Sequence, residues 1–255
     1  MTKKKYFMVH VRLILSENLS EGIKKMLLIL NTIIDIEKKR KYDLIFSNIF
    51  NNLKCASEIC YPNDEIKDSR LSRYDQLLIT GSELFASQDN EDDEKIFKVI
   101  RHFLNHNKSI LGICYGHQIL AKAILGSKAC RKAEKPEFGW KKVKLDPNPL
   151  FEGIENPVSY ESHYDEVCNL TDDFRVIASN DDCPIQAYQY KKQPVWGVQF
   201  HPEVDYKTGE YAFQQRFLES HELTKYFKNE LTNTQQIEQN FEIFRNFIKT
   251  SLQEI

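Results

Sequence analysis

Ile110-Leu-Gly112-Ile-Cys114-Tyr-Gly116-His-Gln118 is the stretch that decides how this 255-residue chain folds. An apolar run enters a Gly-x-Cys-x-Gly turn, and a helical run, Gln118 to Leu125, leaves it and closes at Gly126. A strand turning sharply into a helix through a residue flanked by glycines is a nucleophile elbow, with the reactive side chain on a strained turn. Side chains at the flanking positions would collide with the tight turn. The sulfur would stand at the carboxyl edge of an open α/β sheet, where such sheets bind ligands. It would also face a helix amino end, whose unpaired N–H groups and dipole favour a thiolate. The backbone N–H of Tyr115 would then donate to a developing oxyanion.

Outward from the elbow, strand and helix patterns alternate. Residues 74–81 and 108–113 read as short apolar strands, and residues 92–105 as a helix with Ile96, Val99, Ile100 and Phe103 on one side. Nearer the start, residues 6–13 are rich in β-formers. Residues 22–36 carry Ile23, Met26, Leu27, Leu30 and Ile34 at helical spacing, so Met26-Leu-Leu-Ile-Leu30 reads as a buried helix face. Residues 42–46 suit a strand, or a helix leading toward Leu53; residues 61–72 form a polar connection. Short apolar strands separated by helices predict an α/β fold, a mostly parallel central sheet covered on both faces. Past Ala129, β-rich stretches at 140–145, 158–162, 176–178, 185–190 and 195–200 predict antiparallel hairpins added to that sheet. Ile237, Phe241, Phe244 and Ile248 line one face of a closing helix, a stripe that suits core packing. One domain over residues 1–255 is expected, with a helical extension from about residue 206 and no reading for residues 218–234.

Charge narrows the partners. With 35 basic and 37 acidic residues the net charge is −2, which gives no electrostatic argument for nucleic acid or an anionic membrane. The basic start lacks the long apolar stretch of a secretory signal, and no apolar run is long enough to span a bilayer. Six cysteines (55, 60, 114, 130, 168 and 183) lack CxxC spacing, which points to reduced thiols in the cytoplasm. No cluster has metal-ligand spacing, and neither a metal nor another cofactor is expected.

A thiol nucleophile needs a base, and the base needs an orienting acceptor. Val195-Trp-Gly-Val-Gln-Phe-His201-Pro-Glu203 offers both, because His201 falls at a strand end and Glu203 follows a turn at Pro202. Gly-Ile-Cys114-Tyr-Gly-His-Gln118 and Gly197-Val-Gln-Phe-His201-Pro-Glu203 together resemble the two signature motifs of class I glutamine amidotransferases. Ser162-His163-Tyr-Asp165-Glu-Val167 is similar to that family's Ser-His-x-Asp-x-Val segment.

The resemblance implies a flavodoxin-like variant of the fold and a triad of Cys114, His201 and Glu203. It also implies a γ-glutamyl thioester on Cys114 and an oxyanion hole from the N–H groups of Gly81, Ser82 and Tyr115. Gln118, Ser162, His163 and Tyr164 would hold the glutamyl head. The chain departs from members feeding a synthetase in two places. Thr80-Gly81-Ser82 replaces Gly-Gly-Pro, and Tyr164 stands where glycine is common. With the acidic run at residues 89–94, which itself suits helix capping, these choices look like stand-alone members such as γ-glutamyl peptidases. Only an amphipathic tail follows Glu203, so no ammonia-consuming domain is expected on this chain. Hydrolysis of glutamine or γ-glutamyl peptides and conjugates for its own sake is therefore the preferred expectation. One alternative is a glutaminase subunit passing ammonia to a separate, GMP synthase-like synthetase; another is a non-catalytic regulatory domain on the same fold.

Overall fold

Met26-Leu-Leu-Ile-Leu30 is a strand, not a helix face. The computed structural model describes residues 26–250 except 65 and 220, and the strand expected over residues 6–13 lies outside them. Within β1 (Met26–Leu30), Leu27 to Leu30 are fully buried, and alternate residues enter the cores on opposite faces of the sheet. A five-residue apolar run fits a doubly covered strand and a buried helix equally well by periodicity, which is why the helix expected over residues 22–36 fails. The helix starts later, as α1 (Ile36–Asn52), where the Asp35 carboxylate caps Lys38 N–H at 2.8 Å. It absorbs residues 42–46, so the helical alternative for them holds and the strand does not.

The order continues through β2 (Ala56–Cys60), α2 (Asp68–Leu71), β3 (Gln76–Ile79), α3 (Asp93–Asn105), β4 (Ser109–Ile113) and α4 (Tyr115–Leu125). Then come β5 (Cys130–Lys142), β6 (Lys144–Leu145), β7 (Val158–Val167), β8 (Phe174–Ser179), β9 (Ala187–Tyr190) and β10 (Val195–Val198). The chain closes with α5 (Tyr206–Glu219), β11 (Phe227–Asn229), α6 (Gln235–Glu238) and α7 (Glu242–Lys249).

The larger sheet runs β2-β1-β3-β4-β10-β9-β8-β6, parallel through β10 and antiparallel beyond it. Leu27, Ile29, Leu78 and Trp196 pack with Phe46, Phe50, Phe244 and Phe247 on one face. Leu28, Leu30, Leu77 and Ile79 pack with Ile96, Ile100, Ile119 and Leu120 on the other.

Not every late strand joins this sheet. β5 and β7 pair with each other and with β11 in a separate three-stranded sheet. That sheet has its own core of Trp140, Val158, Tyr160, Val204 and Ile237. β10 is likewise not part of a hairpin group on both sides, since it lies parallel to β4. The C-terminal stripe packs inward as expected but serves two cores, Ile237 in the smaller and Phe244 in the larger. No helix among the described residues is long and apolar enough to cross a membrane.

Candidate active site

Cys114 sits between β4 and α4 at φ 52°, ψ −106°, a left-handed conformation that non-glycine residues rarely adopt and that costs about 1–3 kcal/mol. Contacts on both sides hold it there. Its N–H donates to the Val198 carbonyl at 2.8 Å, and its carbonyl accepts from Gln118 N–H at 3.1 Å. A Cβ on Gly112 would lie 2.3 Å from the Gly116 oxygen, and one on Gly116 would lie 2.3 Å from the Ile79 oxygen. The Gly-x-Cys-x-Gly pattern is thus the packing condition for the turn.

Sheet register brings the histidine to the thiol. Val198 pairs with Ile113, so both chains leave adjacent parallel strands side by side. His201 N–H then donates to the Tyr160 carbonyl at 3.0 Å, fixing the histidine against β7. Its Nδ1 lies 2.8 Å from Glu203 Oε1, and its ring is close enough to Cys114 for the two to interact electrostatically. Cys114, His201 and Glu203 are all buried. Burial would lower the imidazole pKa, but the Cys114 and Glu203 charges outweigh it and raise it well above the ordinary value.

Gly81 approaches the same point from the end of β3. A Cβ there would lie 3.2 Å from His201 Cε1 and 3.6 Å from Cys114 Cβ. Ser82 Oγ donates to the Thr32 carbonyl at 2.7 Å, Thr32 Oγ1 donates to the Gly81 carbonyl at 3.1 Å, and Thr32 N–H donates to Thr80 Oγ1 at 3.0 Å. These hydroxyls brace the loop that departs from Gly-Gly-Pro. Among the described residues, no protein acceptor takes the N–H groups of Gly81, Ser82 or Tyr115. Thr32 had no signal in the sequence, because its role depends on β1 and β3 being neighbours.

The residues expected to hold a glutamyl head divide. Gln118 is buried, with its amide N–H groups donating to the Asp165 carbonyl at 2.8 Å and to Gln199 Oε1 at 3.0 Å. Strand alternation puts Ser162 and Tyr164 on one face of β7, both partly exposed, and His163 on the other, buried. His163 Nε2 lies 3.0 Å from Glu137 Oε2 and 3.5 Å from Glu161 Oε2. Burial opposes its charge, but the two carboxylates push its pKa up to about 10. His163 is therefore engaged away from the face that Ser162 and Tyr164 share.

Glu137 is the hub of that buried network and gave no sequence signal. Its oxygens also accept from Lys141 Nζ at 2.6 Å, Asn180 at 2.8 Å and Gln186 at 2.7 Å. Glu137, His163 and Cys183 present ligand atoms within 4.8 Å of one another. However, each Glu137 oxygen already has two donors and an ammonium lies against it, so the cluster is a hydrogen-bonded ion network, not a cation cage. The acidic run before α3 ties helices together, where capping was expected of it. Asp93 Oδ2 takes Lys122 Nζ of α4 at 2.8 Å and Asp93 Oδ1 takes the Tyr115 hydroxyl at 3.2 Å, tying α3 to the elbow helix. Asp92, the residue before the helix, makes no capping bond.

Residues 32–220 match the family model for class-I glutamine amidotransferases. The chain belongs to that family. Among its relatives is a glutamine-hydrolysing GMP synthase subunit from Thermoplasma volcanium, 37% identical over 160 residues, covering 62% of this chain and 76% of the relative. One of the same name from Methanocaldococcus jannaschii is 40% identical over 171 residues, covering 66% and 81%. A glutamine amidotransferase structure from Thermotoga maritima superposes with a TM-score of 0.70 over 89% of this chain and 98% of that one; at 19% identity it speaks to the fold alone. The class I amidotransferase fold expected from the motifs is thereby the fold observed.

Proposed function

We propose that this protein is the glutamine-hydrolysing subunit of an amidotransferase of the GMP synthase type, handing ammonia to a separate synthetase subunit. The observation that carries the chemistry is the placement of Cys114 and His201 together against Gly81, with Glu203 on the His201 Nδ1. The names of the two relatives favour the subunit reading over a self-sufficient γ-glutamyl peptidase, which neither name supports.

In this reading the Cys114 thiolate attacks the γ-carbonyl of glutamine, and the resulting oxyanion takes the N–H groups of Tyr115 and of the Gly81–Ser82 loop. Each such donor contributes about 10²- to 10³-fold in rate. The His201 imidazolium protonates the leaving amine, ammonia departs, and a γ-glutamyl thioester remains. Neutral His201 then takes a proton from water; the hydroxide adds to the thioester, and the thiolate leaves as glutamate forms. Ser162 and Tyr164 line the glutamyl side, while Gln118 and His163 act behind it as positioning residues. Residues from about 206 onward count as part of the same domain, because β11 joins β5. A cytoplasmic setting suits six cysteines among which no disulfide forms.

The test is glutamate release from glutamine, measured for this chain alone and together with the synthetase of a two-subunit GMP synthase. Release should rise when the synthetase and its nucleotide substrates are present. Equal release with and without it, together with faster cleavage of γ-glutamyl dipeptides than of glutamine, would restore the stand-alone hydrolase.

Glu203→Gln should lower kcat/KM by about 10²- to 10⁴-fold, since an amide no longer enforces the productive tautomer. It should also move the alkaline limb of the pH profile to lower pH. Glu203 is one of the charges raising the His201 pKa, so without it the imidazolium is lost earlier as pH rises. A pH–rate profile with an unmoved alkaline limb would contradict that role.

A further inference from the structure

Among the described residues, Arg216 has no carboxylate within ion-pair distance. It lies on α5, the helix that follows the His-Pro-Glu turn and covers the smaller sheet. A Cβ on Gly209 would lie 2.3 Å from the Trp140 ring, and the Trp140 indole N–H donates to Glu210 at 2.9 Å. Two turns after Gly209, the Arg216 guanidinium lies over the rings of Phe138 and Tyr164, 5.0 and 5.7 Å from their centroids. One of its N–H groups donates to the Tyr164 hydroxyl at 3.1 Å. A guanidinium offers five N–H donors in a planar fork that matches a carboxylate edge-on. The two rings flank this one, and among the described residues only the bond to Tyr164 uses its donors.

Its position is as informative as its valence. Tyr160, Ser162 and Tyr164 share one face of β7, and the Tyr160 carbonyl receives His201 N–H. The Tyr164 ring also meets Phe85, 5.9 Å away, and Phe85 follows the Gly81–Ser82 loop that brackets Cys114. Arg216 therefore completes a rim whose other members are this loop and the outer face of β7. Its charge reaches back to Tyr160, where burial pushes the phenol up to about 12 and Arg216 opposes that rise.

We propose that Arg216 is the cationic contact for the α-carboxylate of the glutamyl substrate, so that α5 supplies part of the glutamine site. This rests on reading Cys114 as the nucleophile of a glutaminase. A glutamine bound with its γ-carbonyl at Cys114 carries an α-carboxylate at the far end of its side chain, and the bidentate fork at the rim is the group suited to receive it. Tyr164, in place of the glycine common at this position, orients the arginine as well as lining the site.

The test follows alkylation of Cys114 by mass spectrometry in the full-length protein, with two reagents. 6-Diazo-5-oxo-norleucine keeps the α-carboxylate and α-amine of glutamine, whereas iodoacetamide has neither. In Arg216→Met the half-saturating concentration of the diazoketone should rise by about 10- to 100-fold, as expected for loss of a charge-assisted pair. Its maximal labelling rate and the iodoacetamide rate should stay within about 2-fold. Arg216→Lys, which keeps charge without the fork, should recover part of the affinity. An unchanged half-saturation, or equal slowing with both reagents, would overturn the proposal while leaving the glutaminase reading standing. Native protein whose Cys114 is labelled by neither reagent would overturn both.

Discussion

Cys114→Ala should reduce glutamate release by at least about 10⁴-fold, the scale lost when an enzyme is deprived of its covalent nucleophile. The size of the effect follows from the division of labour at the site. Under the proposed function the oxyanion donors and the glutamyl contacts would survive the substitution, but no atom would remain to form the thioester, leaving only weak activation of water by His201. The fold should survive as well. Alanine keeps the Cβ, and the backbone bonds to Val198 and Gln118 are unaffected. Release of glutamate and ammonia, paired with a denaturation curve, checks both halves. Activity within about 10-fold of native in a folded Cys114→Ala protein would contradict the enzyme reading and return attention to a binding domain on the same fold.

Glu137→Ala should destabilise the protein by about 3–5 kcal/mol, the range expected when one partner is removed from a buried ion network. Lys141 and His163 would be left with their charges enclosed and their main acceptor gone, and Asn180 and Gln186 would each lose a bond. The effect has a pH signature. Burial works against the Glu137 charge, but His163 and Lys141 lower its pKa below the unfolded value near 4.5. Its contribution is thus present above about 4.5 and lost as pH falls through the depressed value. His163 is raised from 6.5 to about 10, so its contribution is full below 6.5 and fades as pH rises toward 10. Glu161 works the other way: burial and Glu137 raise it to about 7, so ionising it in the fold costs stability as pH climbs from 4.5 to 7. Urea denaturation of the native protein should therefore show stability declining from near-neutral to alkaline pH, and Glu137→Ala should flatten that decline. A loss under about 1 kcal/mol, in the range of an exposed pair, would mean the network carries little of the fold's stability.

The elbow was legible because its determinants are local: two glycines, a cysteine and the change from strand to helix all fall within a few residues. His201 and Glu203 could be matched to it by type and by motif, although what joins them to Cys114 is the pairing of Val198 with Ile113, far apart in the chain. Met26–Leu30 was misread because a run buried on both faces has no period to report. β2 was missed for the opposite reason. Ala-Ser-Glu-Ile-Cys is an edge strand, mostly half-buried, with little of the apolar character that marks its neighbours. The second sheet escaped notice because alternation within β5 and β7 says nothing about which sheet receives them. Glu137, Lys141 and His163 looked like ordinary charged residues on strands until folding enclosed them together. Arg216 lies on a helix whose apolar signal is weak, and nothing in its neighbours hinted at the rings that flank it.

α5 is secured at both ends. It begins directly after the turn that carries Glu203, and the chain beyond it is stitched into the smaller sheet by β11, with Phe213 packed edge-on against Phe227 at 4.8 Å. Swinging it aside would mean peeling a strand from β5 and uncovering Trp140. α5 is consequently a fixture beside the site, and under the proposed function a synthetase that receives ammonia here must have a contour shaped around it.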